Sequence, residues 1–498
     1  MYKLLLILKY LRRKLAPLFA AVAVMLCTAM VIIVMSVMGG FLDEFRRSAK
    51  NLTGDVIVEG PLQGFAGYEE LLGRIESLPE IEQGTPVIET FGLINFRDNA
   101  KPVRIQGVDL ADLEQIVGYK HTLVWTPDEL LAPMREFMSP DSDSYKRLET
   151  ILRREHPVDP TLADRAEGNP AADAALADRF PPRPEMLIGI EVNPYQYRDE
   201  TGAYSLERSW AMAPAVLTVV PLTSSGTVGT QREQRQDFVV VNEFKSGLYD
   251  IDGSYVFVPF GTLQRMLAME ERTVLEGVDP ETGLGGTEVT KPGRANRLVL
   301  KAAPGIDVND ARAAVQETIG LFYAERDLLG APPRALTWED VHGQILGAVQ
   351  NEKGLVTFLF GVIGIVAVVM VATTFYMIVL EKTRDIGVLR AIGASRLGIM
   401  QMFLGYGLAI GIVGSVLGLV IAAAIVTNLN EIQELIAATT GWRMWNPQTY
   451  FFDRIPDRVN YTEAGRVVVG AIVSSVIGAT LPALLAARLK PVEALRYE

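Results

Sequence analysis

Four stretches of the chain carry no charged side chain: Leu15–Leu42, Gly354–Leu380, Leu397–Asn430 and Val467–Ala487. A helix rises ~1.5 Å per residue and the hydrocarbon core of a bilayer is ~30 Å thick, so about 20 apolar residues suffice to cross it. Each run clears that length. Four such runs are not the pattern of helices buried in a soluble core. The pattern predicts transmembrane helices at 15–42, 355–380, 401–427 and 466–487. Lys9, Arg12, Arg13 and Lys14 before the first run resemble a signal-peptide flank. The apolar stretch is too long for one and no small-residue cleavage site follows, so it reads as an uncleaved signal anchor.

Other periodicities divide the rest. Leu4, Leu5, Leu8 and Leu11 stand at helical spacing among basic residues, which predicts a cytoplasmic interfacial helix over 1–14. Residues 43–354 form one very large insertion between the first two spans. Within it Asp55–Glu59 and Thr85–Phe96 read as strands, with a helix at Tyr68–Leu78 between them. The pattern recurs late: Arg297–Lys301 is strand-like, Asp307 is a candidate N-cap for a helix bearing Val308, Ala311, Val315 and Ile319, and an extended piece is expected before Pro332. Two β-α-β units thus flank the domain, as an internal structural repeat would. Residues 121–215 hold eleven prolines and the Ala/Asp/Arg-rich stretch Ala163–Arg179. They predict an inserted, partly disordered subdomain over about 112–215. Arg235–Phe260 reads as a hairpin turning at Asp252-Gly253. Trp338–Lys353 reads as a helix running into the second span as a stalk over 338–354. The fold class expected is therefore an α-helical membrane protein with four spans and a large α+β domain.

Charge orients this plan. Lys and Arg collect on cytoplasmic segments. Residues 1–17 carry five basic and no acidic residues, the loop 381–400 four and two, and the tail 488–498 three and two. The segment 43–354 holds 31 basic and 50 acidic residues, in a chain of net charge −12. Both termini are expected in the cytoplasm and 43–354 outside, with a second extracytoplasmic loop at 428–465. A domain this acidic argues against nucleic acid as a partner.

Candidate chemistry is sparse. No G-x-x-x-x-G-K-[ST] loop is present, so no P-loop ATP site is expected on this chain. His121, His156 and His342 have no ligand-like spacing, and no metal or cofactor site is expected. Cys27 is the one cysteine, inside the first span, so no intrachain disulfide forms. Ser224-Ser225-Gly226 is a polar loop and not a nucleophile elbow. The chain reads as a non-enzyme, and the uncharged spans argue against an ion path through them. In the third span Gly407/Gly411 and Gly414/Gly418 stand four apart, a spacing that lets helix backbones approach closely, inside one subunit or at a dimer seam.

One stretch stands out. Glu381-Lys-Thr-Arg-Asp-Ile-Gly-Val-Leu-Arg-Ala-Ile-Gly-Ala-Ser395 follows the second span directly. Ile386, Leu389 and Ile392/Gly393 make an apolar stripe flanked by Arg384, Asp385 and Arg390. A short amphipathic helix on the inner face is suited to dock into a partner's groove. This stretch resembles the signature of the ABC permease superfamily that includes the macrolide exporter MacB, the division protein FtsX and the lipoprotein-releasing LolC/LolE permeases. The tail Leu481–Glu498 resembles their C-terminus, most closely the LolC/LolE type. So do Ser36–Phe41, Phe244–Asp252 with Val258–Phe260, and the segment from Trp442 to Pro456. The resemblance covers most of the chain and fails across roughly 120–185.

That resemblance implies two permeases, identical or paralogous, assembled with two copies of a separate ABC ATPase that holds the ATP and Mg. Residues 381–396 would transmit ATPase closure, with Glu381, Arg384, Asp385, Ile386, Leu389, Arg390, Gly393, Ala394 and Ser395 as the coupling set. The first two helices would then move the outer domain as a lever. In a LolC/LolE-type system in a bacterial inner membrane, a lipoprotein would pass to a periplasmic carrier. The alternatives are a MacB- or FtsX-like mechanotransmitter, for peptide or drug efflux or for activating a cell-wall hydrolase, and a membrane-anchored scaffold or sensor that uses no ATPase.

Overall fold

The computed structural model describes residues 15–489 apart from 97–98, 138, 155, 158–182, 195, 197–203, 205–210, 223–226, 228–232, 277–286, 327–330, 443–444, 446–454 and 456–457. The expected helix at 1–14, most of the tail, Ala163–Arg179 and Ser224-Ser225-Gly226 lie outside the described residues. The chain divides into a membrane unit (up to Glu44, Gln344–Trp445 and from Arg454) and a large domain (Phe45–Gly343).

The large domain is ordered by one nine-stranded sheet. Its strands are β1 (Val56–Glu59), β2 (Ile81–Phe96), β3 (Asn99–Val108), β4 (Glu185–Gly189), β5 (Pro214–Val219), β6 (Gln234–Phe244), β7 (Tyr255–Pro259), β8 (Arg297–Ala302) and β9 (Arg334–Thr337). They lie in the order β9-β1-β8-β2-β3-β7-β4-β6-β5. The two expected β-α-β units are β1-α1-β2, with α1 at Tyr68–Glu76, and β8-α2-β9, with α2 at Val308–Arg326. They do not sit side by side. β8 lies between β1 and β2, and β1 lies between β8 and β9, every pairing antiparallel. This is the split β-α-β arrangement, in which neither unit holds a complete sheet without the other. Leu71 and Ile75 of α1 join Ala311, Val315, Ile319 and Phe322 of α2 in the core under these strands. The 3.6-residue spacing of those apolar positions is why both segments are helical.

The strand expected before Pro332 instead follows Pro333. Apolar periodicity carries α2 on to Arg326. Proline cannot donate to a sheet ladder, so pairing begins only at Arg334.

β2 is long enough to serve two structures. Its first half pairs with β8; its second half pairs with β3 on one side and β5 on the other. The β2–β5 pairing closes β2, β3, β7, β4, β6 and β5 into a six-stranded barrel. Closure needs Gly92: a Cβ there would stand 2.6 Å from the Thr218 carbonyl oxygen and 2.7 Å from Ile105 Cδ1. Ile94, Ile105, Met186, Ile188, Leu217, Phe238, Val240 and Val256 are buried in the same continuous core as the split β-α-β units.

Further expectations need correction. The segment 112–215 is not one separate subdomain: β4 and β5 are staves of the barrel, because Met186–Ile188 and Ala215–Val219 are apolar enough to be buried. Its helices at Pro127–Leu131 and Asp143–Leu152 do gather a small core of their own, Leu130, Leu131, Tyr145, Leu148 and Leu152. Nor is 235–260 a hairpin. Asp252-Gly253 lies within a short helix, Tyr249–Ser254, and β6 and β7 do not pair with each other. The buried Asp252 carboxylate accepts from the backbone N–H and hydroxyl of Ser246 and the N–H of Gly247. Those bonds hold the chain in a helical connection where a two-residue turn was expected.

The stalk at 338–354 is also not one helix. Trp338–Val341 is a single turn, opened by a capping box between Thr337 and Asp340 and ended at His342; a new helix starts at Gly343.

Among the described residues four helices meet the length and composition of spans: Leu18–Arg46 and Leu346–Glu381, within the longer helices Leu15–Thr53 and Gly343–Glu381, and Arg396–Thr427 and Tyr461–Arg488. The loop expected at 428–465 contains a further helix, Leu429–Thr440. The glycines of the third span face neighbours within this chain. A Cβ on Gly407 or Gly411 would meet Ala479 and Ser475 of the fourth span at 2.6 and 3.0 Å. A Cβ on Gly414 or Gly418 would come within 2.9 and 2.7 Å of the Ala21 and Met25 carbonyl oxygens of the first. Of the two roles open to these glycines, packing inside one subunit uses all four.

Candidate coupling surface

The second span ends at Glu381 and the chain turns at Lys382, whose N–H donates to the carbonyls of Ile378 and Val379. A short helix, Thr383–Ala391, follows. The Thr383 hydroxyl donates to the Val379 carbonyl, and Lys382 Nζ pairs with Asp385 at 2.7 Å. Gly393 ends the segment at φ +104, a conformation that favours glycine. Ser395 then caps the third span, its hydroxyl accepting from the Gly398 N–H at 3.1 Å. The 381–395 segment is therefore a tight, specified connection with one helix in it.

That helix has two faces. Thr383, Ile386 and Gly387 point inward and are buried. Ile386 packs in a cluster with Phe375, Val379, Ile399, Phe403, Ala483 and Ala486, drawn from the second, third and fourth spans. Arg390 is half-buried on the same side. Arg384 and Asp385 are exposed. So are Val388, Leu389 and, at 79% of its surface, Ile392. Residues 385, 388, 389 and 392 follow the i, i+3, i+4, i+7 rule of one helix face.

The stripe expected from the sequence therefore divides. Ile386 anchors the helix to the bundle, and Leu389 and Ile392 open outward together. Val388 belongs to the outward patch although the sequence reading passed over it; the i, i+3, i+4 spacing from Asp385 was the available signal. Glu381 ends the span and is exposed; Ala394 packs partly against the bundle core. An exposed apolar patch edged by one cation and one anion has no catalytic chemistry. It has the form of a docking surface for a groove.

In the large domain the half-buried Arg297 and the buried Glu89 and Asp252 hold the fold. Arg297 bridges Glu59 at 2.6 Å and Glu89 at 2.5 Å, tying β8 to the strands on either side. Burial raises the Asp252 carboxyl to about 6 against the lowering effect of its hydrogen bonds. Among the described residues no group of three or more His, Cys, Asp or Glu side chains could hold a metal ion.

Comparison with known proteins bears on this surface directly. Residues 357–491, which include it, match the family described as FtsX-like permease C-terminal. The lipoprotein-releasing system transmembrane protein LolC of Xylella fastidiosa is 26% identical over 287 residues, which cover 57% of this chain and 60% of that protein. LolE of Haemophilus influenzae is 31% identical over 130 residues, covering 26% of this chain and 31% of that one. The chain thus spans about 60% of the length of the first LolC relative it matches. The periplasmic region of MacB from Actinobacillus actinomycetemcomitans aligns over 61% of this chain and 97% of its own, at 8% identity and a TM-score of 0.28. Residues 357–491 thus match an FtsX-like permease domain, and over part of its length the chain resembles LolC and LolE.

Proposed function

We propose, with the FtsX-like permease domain as premise, that this chain is the membrane subunit of an ABC transporter whose ATPase is a separate chain. The observation that carries the reading is the outward face of the helix Thr383–Ala391 and the turn after it. Val388, Leu389 and Ile392 expose apolar surface while Ile386 fixes the helix to three spans. A helix clamped on one side and open on the other can pass a push from a partner's groove into the bundle. A scaffold or sensor without an ATPase has no use for such an element.

The second span supports a lateral partner as well. Only 11% of its apolar window is buried within the chain, which leaves the rest to lipid and to a second permease, identical or paralogous. In this reading the ATPase supplies ATP and Mg, two copies serve two permeases, and both termini face the cytoplasm of a bacterial inner membrane. Movement transmitted through the spans works the large extracytoplasmic domain. The likeness to LolC and LolE favours lipoproteins as cargo, released from the membrane to a periplasmic carrier, over peptide or drug efflux. Spans without ionisable residues in their centres suit a cargo that does not cross through them.

Two measurements test the two levels separately. The protein purified in mild detergent is expected to retain an ABC ATPase, and Leu389→Asp or Arg384→Glu is expected to lose it; wild type that captures none sinks the transporter reading. Depletion in cells is expected to leave outer-membrane lipoproteins in the inner membrane. Correct lipoprotein placement together with a retained ATPase would move the function to the MacB- or FtsX-like class.

A further inference from the structure

The helix Leu429–Thr440 begins two residues after the third span ends, at a break over Asn428. Nothing in the function proposed above uses it. Its residues sort into three arcs. Asn430 and Gln433 face the returning loop. Asn430 Nδ2 donates to the Ile455 carbonyl and its Oδ1 accepts from the Ile455 N–H, at 3.1 and 3.0 Å. The Trp445 N–H donates to Gln433 Oε1 at 3.1 Å. Glu431 and Glu434 are exposed on a second arc. The third arc holds Leu429, Ile432, Leu435 and Ile436, none of them buried, with Leu435 67% exposed. Gly441, at φ +70, ends the helix and Trp442 follows, 63% exposed.

We infer that this helix lies in the plane of the membrane, its Leu429/Ile432/Leu435/Ile436 arc sunk into the leaflet at which the third span ends, with Trp442 at headgroup level. The occupant of the apolar arc is lipid. The third span holds 32 residues, about 48 Å of helix, more than a hydrocarbon core of ~30 Å requires. Its end therefore reaches the interfacial zone, and a helix starting two residues later begins there. An arc one side chain deep beside an acidic arc fits the boundary between acyl chains and water. Trp442 and Tyr461, the latter 80% exposed at the start of the fourth span, are the residue types that settle at that boundary. The helix has no Lys or Arg, so apolar burial holds it and attraction to anionic headgroups does not. The hydrogen bonds of Asn430 and Gln433 tie the loop toward the fourth span to the same float, giving the third and fourth spans a common anchor at the surface. This inference rests on the four spans and is independent of the transporter reading.

The test uses the full chain with Cys27→Ser and single cysteines at Leu435→Cys, Ile432→Cys or Glu434→Cys. Each carries an environment-sensitive fluorophore and is reconstituted into phosphatidylcholine vesicles with and without phosphatidylglycerol. Labels at 432 and 435 are expected to be quenched by lipids bearing a headgroup-proximal nitroxide and to be shielded from iodide about threefold or more relative to 434. Adding phosphatidylglycerol is expected to change neither value. Equal iodide access at all three positions would overturn the inference, leaving the arc in water. Shielding of 432 and 435 from both quenchers would also overturn it, because protein and not lipid would then cover the arc. All three positions lie outside the packed core, so labelling leaves the bundle intact, and the thermal unfolding of each labelled protein verifies this.

Discussion

The second and third spans are both long, apolar and uncharged through their centres, yet the chain treats them differently. Within its own chain the third buries 39% of its apolar window and the second 11%. The third is lined with glycines whose missing side chains admit the backbones of the first and fourth spans. The second presents Phe358, Ile365, Val369 and Met377 outward and meets the fourth span closely where Gly478 stands against Val368 and Val371. Within lipid there is no hydrophobic drive to bring helices together, so close backbone packing decides which helix is fixed. The third span is built as a post. The second, which runs directly into the helix Thr383–Ala391, leaves most of its surface open.

The largest expected effect comes from breaking the post. Gly418→Leu would drive a side chain into the Met25 carbonyl and Thr28. Loss of monodisperse protein in detergent, or a stability loss above ~3 kcal/mol, is expected; unaltered thermal unfolding would show that the first and third spans do not pack there. Next is the inner anchor of the helix Thr383–Ala391. Ile386→Ala removes a fully packed side chain and is expected to cost about 2–4 kcal/mol by thermal or denaturant unfolding, whereas Ile392→Asp should leave unfolding unchanged and abolish ATPase capture. Equal stability loss in both would mean the helix has no free face. Smaller is the tie between Lys353 of the second span and Glu463 of the fourth, paired at 3.0 Å. Lys353→Met is expected to cost about 1–3 kcal/mol, and Lys353→Met with Glu463→Leu less than that; a double variant weaker than the single would refute pairing. Smallest is Phe358→Ala on the open face, expected within ~0.5 kcal/mol for the isolated subunit. A larger loss in the isolated subunit would erase the contrast between the spans.

The sequence was legible wherever a period was long and clean. The spans, the helices over 68–78 and from 308, and the strands at 55–59, 85–96 and 297–301 could be read from spacing; the strand after the second helix could not, because it starts only beyond Pro333. What failed was local chemistry overridden by distant contacts. Asp252-Gly253 has the composition of a hairpin turn, but the Asp252 carboxylate is taken up by Ser246 and Gly247, and the flanking strands pair elsewhere. The apolar stripe over Thr383–Gly393 reads from the sequence as one face. Only the position of the bundle could show that Ile386 turns inward while Val388 and Ile392 do not.

By itself, then, the sequence determined that the chain has four charge-free runs able to cross a bilayer, that a large acidic domain lies between the first two, and that an amphipathic segment follows the second. Those are properties of composition and period, which a chain carries without folding. The tertiary structure alone decided that the two β-α-β units interlock, that β2 turns from a flat sheet into a closed barrel, and that the glycines of the third span are used within the chain. Each of these depends on which distant backbone comes to lie alongside, and no local pattern encodes that choice. The amphipathic segment likewise acquired an inner and an outer face only when three spans closed around Ile386.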